Sequence, residues 1–524
     1  MAAPHVTQHD VIAFLTTPAA YGSDCGRVDR VETHISVVFL AGARALKLKR
    51  DVHFPYVDYS TLEARKECCD KEVRLNRRTA PDIYVGVTPV TRSDTGVLAI
   101  GGTGTPIEWL VEMRRFDQDR LLDAVARRGE ITVDAAAGIG AAAAALHAAA
   151  APRPDHGGAA GMHWVVEGND AELSAAGPLV AQPARARLHE ASQQALTRCA
   201  HLLDARRETG WVRECHGDLH LGNAFLASGR PVLFDCIEFN DELSCVDVLY
   251  DLAFLVMDLL HRRLPAHANA ALNAWLDRLP QYEALPLLPL FLSCRAAIRA
   301  KVSLAAAAAV ETPARVAPLQ HEATAYMDRA LALIAPGTGA IVAIGGLSGS
   351  GKSTLARRLA PEIGLAPGAV VLRSDLVRKR RYGVEPSERL PDTAYRAPVS
   401  AAVYEELVHS AREVARAGYV AIVDAVFPTE TQRRSIRRAA ADEGVPFVGL
   451  WLEAPLGVME ARLAARRGDA SDATAAVLHQ QHARATPPLD WERIDASDSV
   501  DRVGRAALVR TVERMETIGK GAAS

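Results

Sequence analysis

The sequence has no cysteine pattern, no apolar run long enough to span a bilayer and no marked excess of either charge. Each absence removes a class of protein. The eight cysteines (Cys25, Cys68, Cys69, Cys199, Cys215, Cys236, Cys245 and Cys294) show no Cys-x-x-Cys spacing. They read as reduced thiols of a cytoplasmic protein, not as a disulfide framework or a zinc site. The most apolar candidate for a membrane span, Ala284 to Cys294, contains Pro286 and Pro289 and has about half the roughly 18 residues a span needs. Met1 to Tyr21 lacks a basic n-region, and His9 and Asp10 interrupt its apolar run, so it does not read as a secretory signal. A net charge of −3 gives no global case for nucleic-acid binding. No internal repeat is visible.

What is present is enough chain for more than one core: 524 residues. Residues 28–49 predict strands joined by a hairpin, with Ala41-Gly42-Ala43-Arg44 as the turn. Thr61 to Arg78 predicts a charged helix, Ile107 to Met113 a strand and Ile131 to Ala150 an Ala-rich helix. Ala151 to Gly161 reads as a loop. Helical patterns return from Pro183 to Leu203 and from Leu243 to Ile334. Ala335-Pro336-Gly337-Thr338-Gly339 then breaks the pattern. Beyond it, strands at Ala340–Gly345, Val370–Leu372, Tyr419–Val423 and Phe447–Leu452 alternate with helices, which predicts a parallel sheet covered on both faces.

Two phosphate-transfer signatures occupy the two halves. The first is His216-Gly217-Asp218, with Asn223 five residues after the aspartate and Asp235 twelve residues later again. Kinase chemistry needs one carboxylate to orient and deprotonate the acceptor hydroxyl, and an amide oxygen with a second carboxylate to hold Mg²⁺ on the triphosphate. Asp218 suits the first role; Asn223 and Asp235 suit the second. His216 suits a structural role on the loop backbone. Upstream, Lys47 on a strand and Glu72 on the next helix form the expected phosphate-contacting pair, with Lys49 on the same strand face as the alternative. Val111-Glu112-Met113 reads as an adenine-binding hinge, with Val111 and Met113 as contacts. Glu238-Phe239-Asn240-Asp241-Glu242 reads as a solvated acidic loop or, less favoured, as a rim that attracts an amine-bearing acceptor.

With these residues in place, 28–330 resembles the aminoglycoside phosphotransferase family, a branch of the protein-kinase-like fold. The resemblance implies a bilobal α+β domain over 1–335, with an N-lobe over about 1–112 and a C-lobe over about 113–335. The sequence departs from protein kinases. No Gly-x-Gly-x-x-Gly precedes Lys47, where Glu32-Thr33-His34-Ile35-Ser36 stands instead, and Asp235 is followed by Cys236-Ile237-Glu238.

The second signature is Gly346-Leu347-Ser348-Gly349-Ser350-Gly351-Lys352-Ser353-Thr354, between an apolar strand and a helix. In a P-loop, backbone N–H groups surround the phosphates at a helix N-terminus, the lysine reaches the β/γ-phosphates and the serine ligates Mg²⁺. Gly346, Ser348, Gly349, Ser350, Gly351, Lys352, Ser353 and Thr354 are the candidate nucleotide contacts. Asp375 and Asp424 end or follow the next strands, and Arg462, Arg466 and Arg467 follow the fourth. This half, 340–524, resembles small-molecule P-loop kinases of the gluconate kinase, adenylate kinase and zeta-toxin groups. The resemblance implies an acceptor-activating Asp375, an Asp424 that supports Mg²⁺ and lid arginines that neutralise the transferring phosphoryl group. Arg378-Lys379-Arg380-Arg381 reads as a solvated basic surface rather than a grip on an anionic substrate.

The expectation is a cytoplasmic, bifunctional ATP- and Mg²⁺-dependent phosphotransferase acting on small hydroxyl acceptors such as sugars, amino sugars or aminoglycosides, with no nucleic-acid or membrane partner. The alternatives are one active domain with the other a nucleotide-binding regulator, or a toxin-like nucleotide-sugar kinase.

Overall fold

The hairpin read between Val37 and Lys49 becomes the middle of a six-stranded antiparallel sheet in the computed structural model, which describes residues 6–23, 25–54, 56–310, 313–466, 470–484 and 486–522. The chain folds as two compact units, Met1–Glu167 with Ala200–Asp258, and Gly168–Cys199 with Leu259–Ser524.

In the first unit β1 (Val28–Glu32), β2 (Ser36–Ala41) and β3 (Arg44–Lys49) precede a two-residue-strand hairpin, β4 (His53–Phe54) and β5 (Val57–Asp58). Then come β6 (Tyr84–Arg92), β7 (Leu98–Ile100) and β8 (Thr105–Arg114), and the sheet order is β1-β2-β3-β8-β6-β7. The helix Leu62–Asn76 starts where Thr61 accepts a hydrogen bond from the Ala64 N–H, an N-cap that satisfies one of its orphan donors. One sheet face buries Val37, Phe39, Leu46, Leu48, Val90 and Leu110 against Val11 and Leu15 of the helix Gln8–Thr16. The other face packs Val111 against Cys69 and Val73 of the Leu62–Asn76 helix. This second face carries the site. β6 went unread because Gly86 and Pro89 interrupt the alternation of a strand, and β7 because it is only three residues long.

Two short antiparallel pairs carry the rest of the first unit's site. β9 (Val212–Glu214) pairs with β12 (Cys245–Asp247), and β10 (Ala224–Ala227) with β11 (Arg230–Leu233). The continuous helical pattern expected from Leu243 is therefore corrected. A strand comes first, and the helix Val248–His261 follows it. The loop expected over 151–161 is also shorter, because a helix runs from Gly158 to Ala175.

The second unit contains the parallel sheet: β13 (Ala340–Gly346), β14 (Val370–Arg373), β15 (Val420–Asp424), β16 (Phe447–Glu453) and β17 (Glu492–Asp495), in the order β14-β15-β13-β16-β17. Its strands are near-continuous apolar runs because both faces are covered; Ile341 to Ile344 are fully buried. Only β17, four residues of which three are charged, went unread. The compact units do not coincide with a division at 335/340. The helix Pro265–Arg278 lies in the second unit, where Asn269 donates to the Ala369 carbonyl (3.0 Å) and Asn273 accepts from the Val371 N–H (2.7 Å).

This packing has a testable consequence. An open sheet edge is a template for pairing with another chain. A fragment of residues 340–524 leaves the β14 edge uncovered and is expected to elute as aggregate in size-exclusion chromatography with light scattering. A monodisperse fragment as heat-stable as the full chain would contradict the edge-covering role of the Pro265–Arg278 helix.

Candidate active sites

In the first unit Lys47 and Lys49 alternate with the core residues of β3 and so project from one face of the strand. Both reach the Leu62–Asn76 helix. Lys47 Nζ lies 2.9 Å from Glu72 Oε1 and 2.7 Å from Asp235 Oδ1. Lys49 Nζ lies 2.6 Å from Glu72 Oε2 and also pairs with Glu238, whose Oε1 accepts the Tyr59 hydroxyl at 2.7 Å. Glu72 and Lys49 are fully buried. Burial by itself would raise the Glu72 carboxyl, but Lys47 and then Lys49 outweigh it and hold it well down. The primary lysine and its alternative thus share one glutamate.

Asp235 follows β11 at φ 63°, a left-handed conformation uncommon outside glycine, though asparagine and aspartate adopt it more readily than other residues. Two groups hold it there: its N–H donates to the Tyr84 hydroxyl (3.2 Å), and the Cys236 N–H donates to Asn76 Oδ1 (2.9 Å). Such strain persists only where the surroundings over-determine it, and it aims the Asp235 carboxylate at Lys47.

The loop bearing Asp218 is equally constrained. Asn223 Nδ2 donates to both the carbonyl and Oδ2 of Asp218, each at 2.9 Å. His220 Nδ1 accepts the Gly222 N–H at 3.0 Å, so its proton sits on Nε2, 3.3 Å from Asp218 Oδ2. His216 Nε2 lies 2.9 Å from the Phe234 carbonyl and ties this loop to the strand before Asp235. Beneath the loop, the fully buried Asp251 accepts the Gly217 N–H (2.8 Å) and the His216 N–H (3.1 Å), and it faces His147 Nε2 (2.9 Å).

Sequence reasoning missed Asp251, Tyr84, Asn76 and His220 as loop-setting residues. Asp251 sits with Asp258 in a largely apolar helix, and carboxylates inside an apolar pattern were the available signal.

Two sequence readings in this unit are corrected. Val111 and Met113 lie inside the ladder, paired on one side with Lys47 and Ala45 of β3 and on the other with Val87 and Tyr84 of β6. Even the Arg114 and Arg115 N–H groups are taken, by the Ile83 and Ala43 carbonyls. Beyond them the Phe116 ring stacks on Phe225 with centroids 4.3 Å apart. The stretch 238–242 is neither a solvated loop nor a free acidic rim. Glu238 is buried on Lys49, Asp241 pairs with Lys71 (2.5 Å) and Arg153 (3.1 Å), and Glu242 lies 3.0 Å from His156.

In the second unit the P-loop leaves β13 and enters the helix Lys352–Leu359. Gly351 caps that helix at φ 97°, and a Cβ on Gly349 would sit 2.6 Å from the Met459 carbonyl, so both positions require glycine. Lys352 Nζ donates to its own loop at the Leu347 carbonyl (2.9 Å), and Ser353 Oγ donates to Asp424 Oδ2 (2.5 Å). Arg373 Nε lies 3.5 Å from that same oxygen. The Ser348 N–H donates to Gln481 on the helix Ala475–Arg484 (2.9 Å).

Ser348 to Thr354, Asp424 and Gln481 line a cavity of about 850 Å³ together with Asp375, Arg378, Arg389, Tyr395, Arg462 and Arg466. Arg462 donates to the Ala496 carbonyl (2.8 Å) and lies 3.4 Å from the Ser350 carbonyl, which braces the P-loop backbone. Arg467 lies outside the described residues. Asp375 stands in the first turn of the helix Ser374–Arg381, which Arg373 caps without a side-chain bond, so Asp375 is free of capping duty. Its carboxyl is raised above the ordinary aspartate value of 3.8, first by burial and then by Asp424.

The cavity fits a polyanion held with a hard cation. The Lys352 ammonium is pushed below the ordinary lysine value, chiefly by burial, as befits a buried cation short of counter-charge. Ser350 Oγ is buried with no hydrogen-bond partner among the described residues. Ser353 and Asp424 offer oxygen ligands of the kind Mg²⁺ takes, as do Asn223 and Asp235 in the first unit.

The solvated reading of Arg378-Lys379-Arg380-Arg381 is corrected. Arg378 and Lys379 are buried, Lys379 pairs with Asp472 (3.0 Å), and Arg378 lies over the Tyr395 ring. Arg380 and Arg381 both pair with Glu406 (2.8 and 3.0 Å).

Comparison with known proteins agrees with two kinase-type folds in one chain. Residues 98–288 match the model of a phosphotransferase enzyme family, and residues 341–488 match that of an AAA domain. An uncharacterized protein of Mycobacterium tuberculosis is 31% identical over 495 residues, which span 91% of this chain and 94% of that protein. An adenylyl-sulfate kinase of Myxococcus xanthus is 34% identical over 127 residues, 24% of this chain and 63% of that enzyme. A solved choline/ethanolamine kinase family protein from Mesorhizobium loti covers 62% of this chain and 98% of its own length, at 14% identity and a TM-score of 0.38.

The chain belongs to the family of the mycobacterial protein. It joins a protein-kinase-like phosphotransferase domain to a P-loop kinase domain, and it is an ATP-dependent small-molecule kinase. Among the described residues no helix is long and apolar enough to cross a membrane.

Proposed function

We propose that the chain is a bifunctional, Mg²⁺-dependent phosphotransferase that moves the γ-phosphoryl group of ATP to small hydroxyl acceptors at two separate sites, one within 1–335 and one within 340–524. The observation that carries this reading is the pairing in each half of a metal-type set with a further carboxylate. Asp218 is held by Asn223 and His220, apart from Asp235. Asp375 lines the P-loop cavity beside Ser353 and Asp424. Nucleotide binding alone requires neither extra carboxylate, whereas activating a hydroxyl does.

In the first site Lys47, oriented by Glu72, would contact the α/β-phosphates, and Asn223 and Asp235 would hold the metal. The backbone from Phe116 onward would take the adenine. Asp218 would accept the acceptor's proton as the new P–O bond forms. In the second site Gly346 to Thr354 would wrap the phosphates, Lys352 and the lid arginines Arg462 and Arg466 would neutralise the transferring group, and Asp375 would deprotonate the acceptor.

Sugars, amino sugars and aminoglycoside-like molecules are the acceptor class for the first site. The arginines around the second cavity favour an acceptor that also carries an anionic group, as the name of the Myxococcus enzyme suggests. The alternative of a single active half with a regulatory partner predicts one transferable acceptor class only, and a toxin-like nucleotide-sugar kinase predicts transfer to nucleotide sugars. A screen with γ-labelled ATP over sugars, aminoglycosides, nucleosides, adenylyl sulfate and nucleotide sugars tests the reading. Two acceptor classes with distinct labelled products are expected; labelling of none would sink it.

The raised carboxyl of Asp375 gives a second check. A carboxyl raised in the folded state stabilises the fold at low pH, and this contribution is lost as pH rises through its folded value. Asp375→Asn, which removes the buried charge, is expected to raise Tm at pH 7 while abolishing transfer at the P-loop site. The gain should fade as pH falls toward the ordinary value of 3.8. A lower Tm at pH 7 would show that the ionised carboxylate is structural.

A further inference from the structure

The parallel sheet ends at β14, which pairs only with β15, yet its open edge is not left to solvent. The helix Pro265–Arg278 runs along it. Asn269 Nδ2 donates to the Ala369 carbonyl (3.0 Å), Asn273 Nδ2 to the same carbonyl (3.2 Å), and Asn273 Oδ1 accepts the Val371 N–H (2.7 Å). Gly368 makes the approach possible, because a Cβ there would sit 2.9 Å from Asn269 Nδ2.

The two elements advance in step. Four helix residues rise about 6 Å, and two strand residues about 6.6 Å. Asn269 meets Ala369 and Asn273 meets Val371, so the next residue on that helix face, Asp277, arrives at Arg373, the last residue of β14. Arg373 is also the residue whose guanidinium reaches Asp424 Oδ2 (3.5 Å) and Ser353 Oγ (3.4 Å) on the other side. The field at Asp277 agrees with this placement. Burial raises its carboxyl to about 6, and Arg373 is the first of four arginines that oppose the rise, ahead of Arg380, Arg278 and Arg357.

We propose that Asp277 is a positioning residue for the P-loop site. Its carboxylate shares the Arg373 guanidinium with Asp424, and so sets how much negative charge Asp424 keeps for a divalent cation beside Ser353. The inference rests on the reading of Ser353 and Asp424 as the cation-binding pair. A positive charge within 4 Å of a cation site opposes cation binding, and a carboxylate on the far side of that charge relieves the opposition. The P-loop thereby receives a part from outside 340–524, on the helix that also covers its sheet edge.

The test uses the full chain with the first site silenced by Lys47→Ala and Asp235→Asn. Fluorescent mant-ADP binding is measured with Mg²⁺ and with EDTA, and loss of the signal on adding Lys352→Ala assigns it to the P-loop. Asp277→Asn is expected to reduce the Mg²⁺-dependent gain in affinity about five- to tenfold while leaving the EDTA affinity unchanged. A purely structural role would lower Tm and shift both affinities together.

Arg373→Gln approaches the same link from the other end and covers the case in which Asp277→Asn folds poorly. It is expected to keep or enlarge the Mg²⁺-dependent gain and to make that gain insensitive to Asp277→Asn. An undiminished gain in Asp277→Asn, or a smaller gain in Arg373→Gln, overturns the proposal. Binding that never depends on Mg²⁺, even with Asp277 and Arg373 intact, overturns instead the cation-site reading beneath it.

Discussion

Asp218→Ala is expected to slow transfer at the first site by about 10²- to 10⁴-fold while leaving the P-loop reaction unchanged. The magnitude follows from its place. Asn223 and His220 both reach the Asp218 carboxylate and fix its orientation. Of the groups proposed to hold phosphate and metal, Lys47, Glu72 and Asp235 bond one another and not Asp218, whereas Asn223 loses its side-chain partner in the variant. ATP binding should therefore survive, and the loss should fall on kcat more than on KM for ATP. His220→Gln is expected to give a smaller loss of the same kind, because it removes one of the two groups that orient Asp218. An Asp218→Ala enzyme that keeps its rate but binds ATP poorly would move Asp218 from acceptor activation to nucleotide binding.

The second large effect concerns stability. Lys49→Met removes the one cation that, among the described residues, Glu238 shares with Glu72. Breaking a buried ion pair from one side leaves charge without compensation and costs about 3–5 kcal/mol. A calorimetric transition assigned to the first unit should fall by roughly 10 °C. The double variant Lys49→Met with Glu238→Gln should recover part of the loss, because no unpaired carboxylate then remains at position 238. If the single and double variants are equally unstable, the lysine acts through packing rather than charge. Catalysis is a separate readout, since Lys47 keeps its own bonds to Glu72 and Asp235.

The parts of the sites that were legible in the sequence are those whose chemistry is written in contiguous residues. Asp218 with Asn223 and Asp235, and the P-loop from Gly346 to Thr354, depend on local spacing, and the fold they imply is the one observed. What was not legible depends on residues far apart in the chain. Arg378 and Lys379 read as solvated because nothing nearby in sequence offers them partners. Lys379's partner is Asp472, and the carbonyl of Ala394 accepts from Arg378. Glu238 read as part of an acidic loop because its cation, Lys49, lies in β3. The hinge was placed inside β8 because the apolar run Val111 to Met113 does not reveal that neighbours flank it on both sides. The boundary at 335–340 follows a true break in pattern, but Asn269 and Asn273 reach past it to hydrogen-bond β14. Polar residues on a helix face ordinarily read as solvent-facing, and nothing in their spacing says that they cap a sheet edge.

The central claim is that the two halves carry independent phosphoryl transfers. Its most direct measurement is the rate of γ-phosphoryl transfer to each acceptor found by screening, in Asp218→Ala, in Lys352→Ala and in the double variant. Each single variant should lose one acceptor and keep the other at close to the wild-type rate, and the double variant should lose both. Loss of the same activity in both single variants would contradict two independent sites and would make one half a nucleotide-binding regulator of the other.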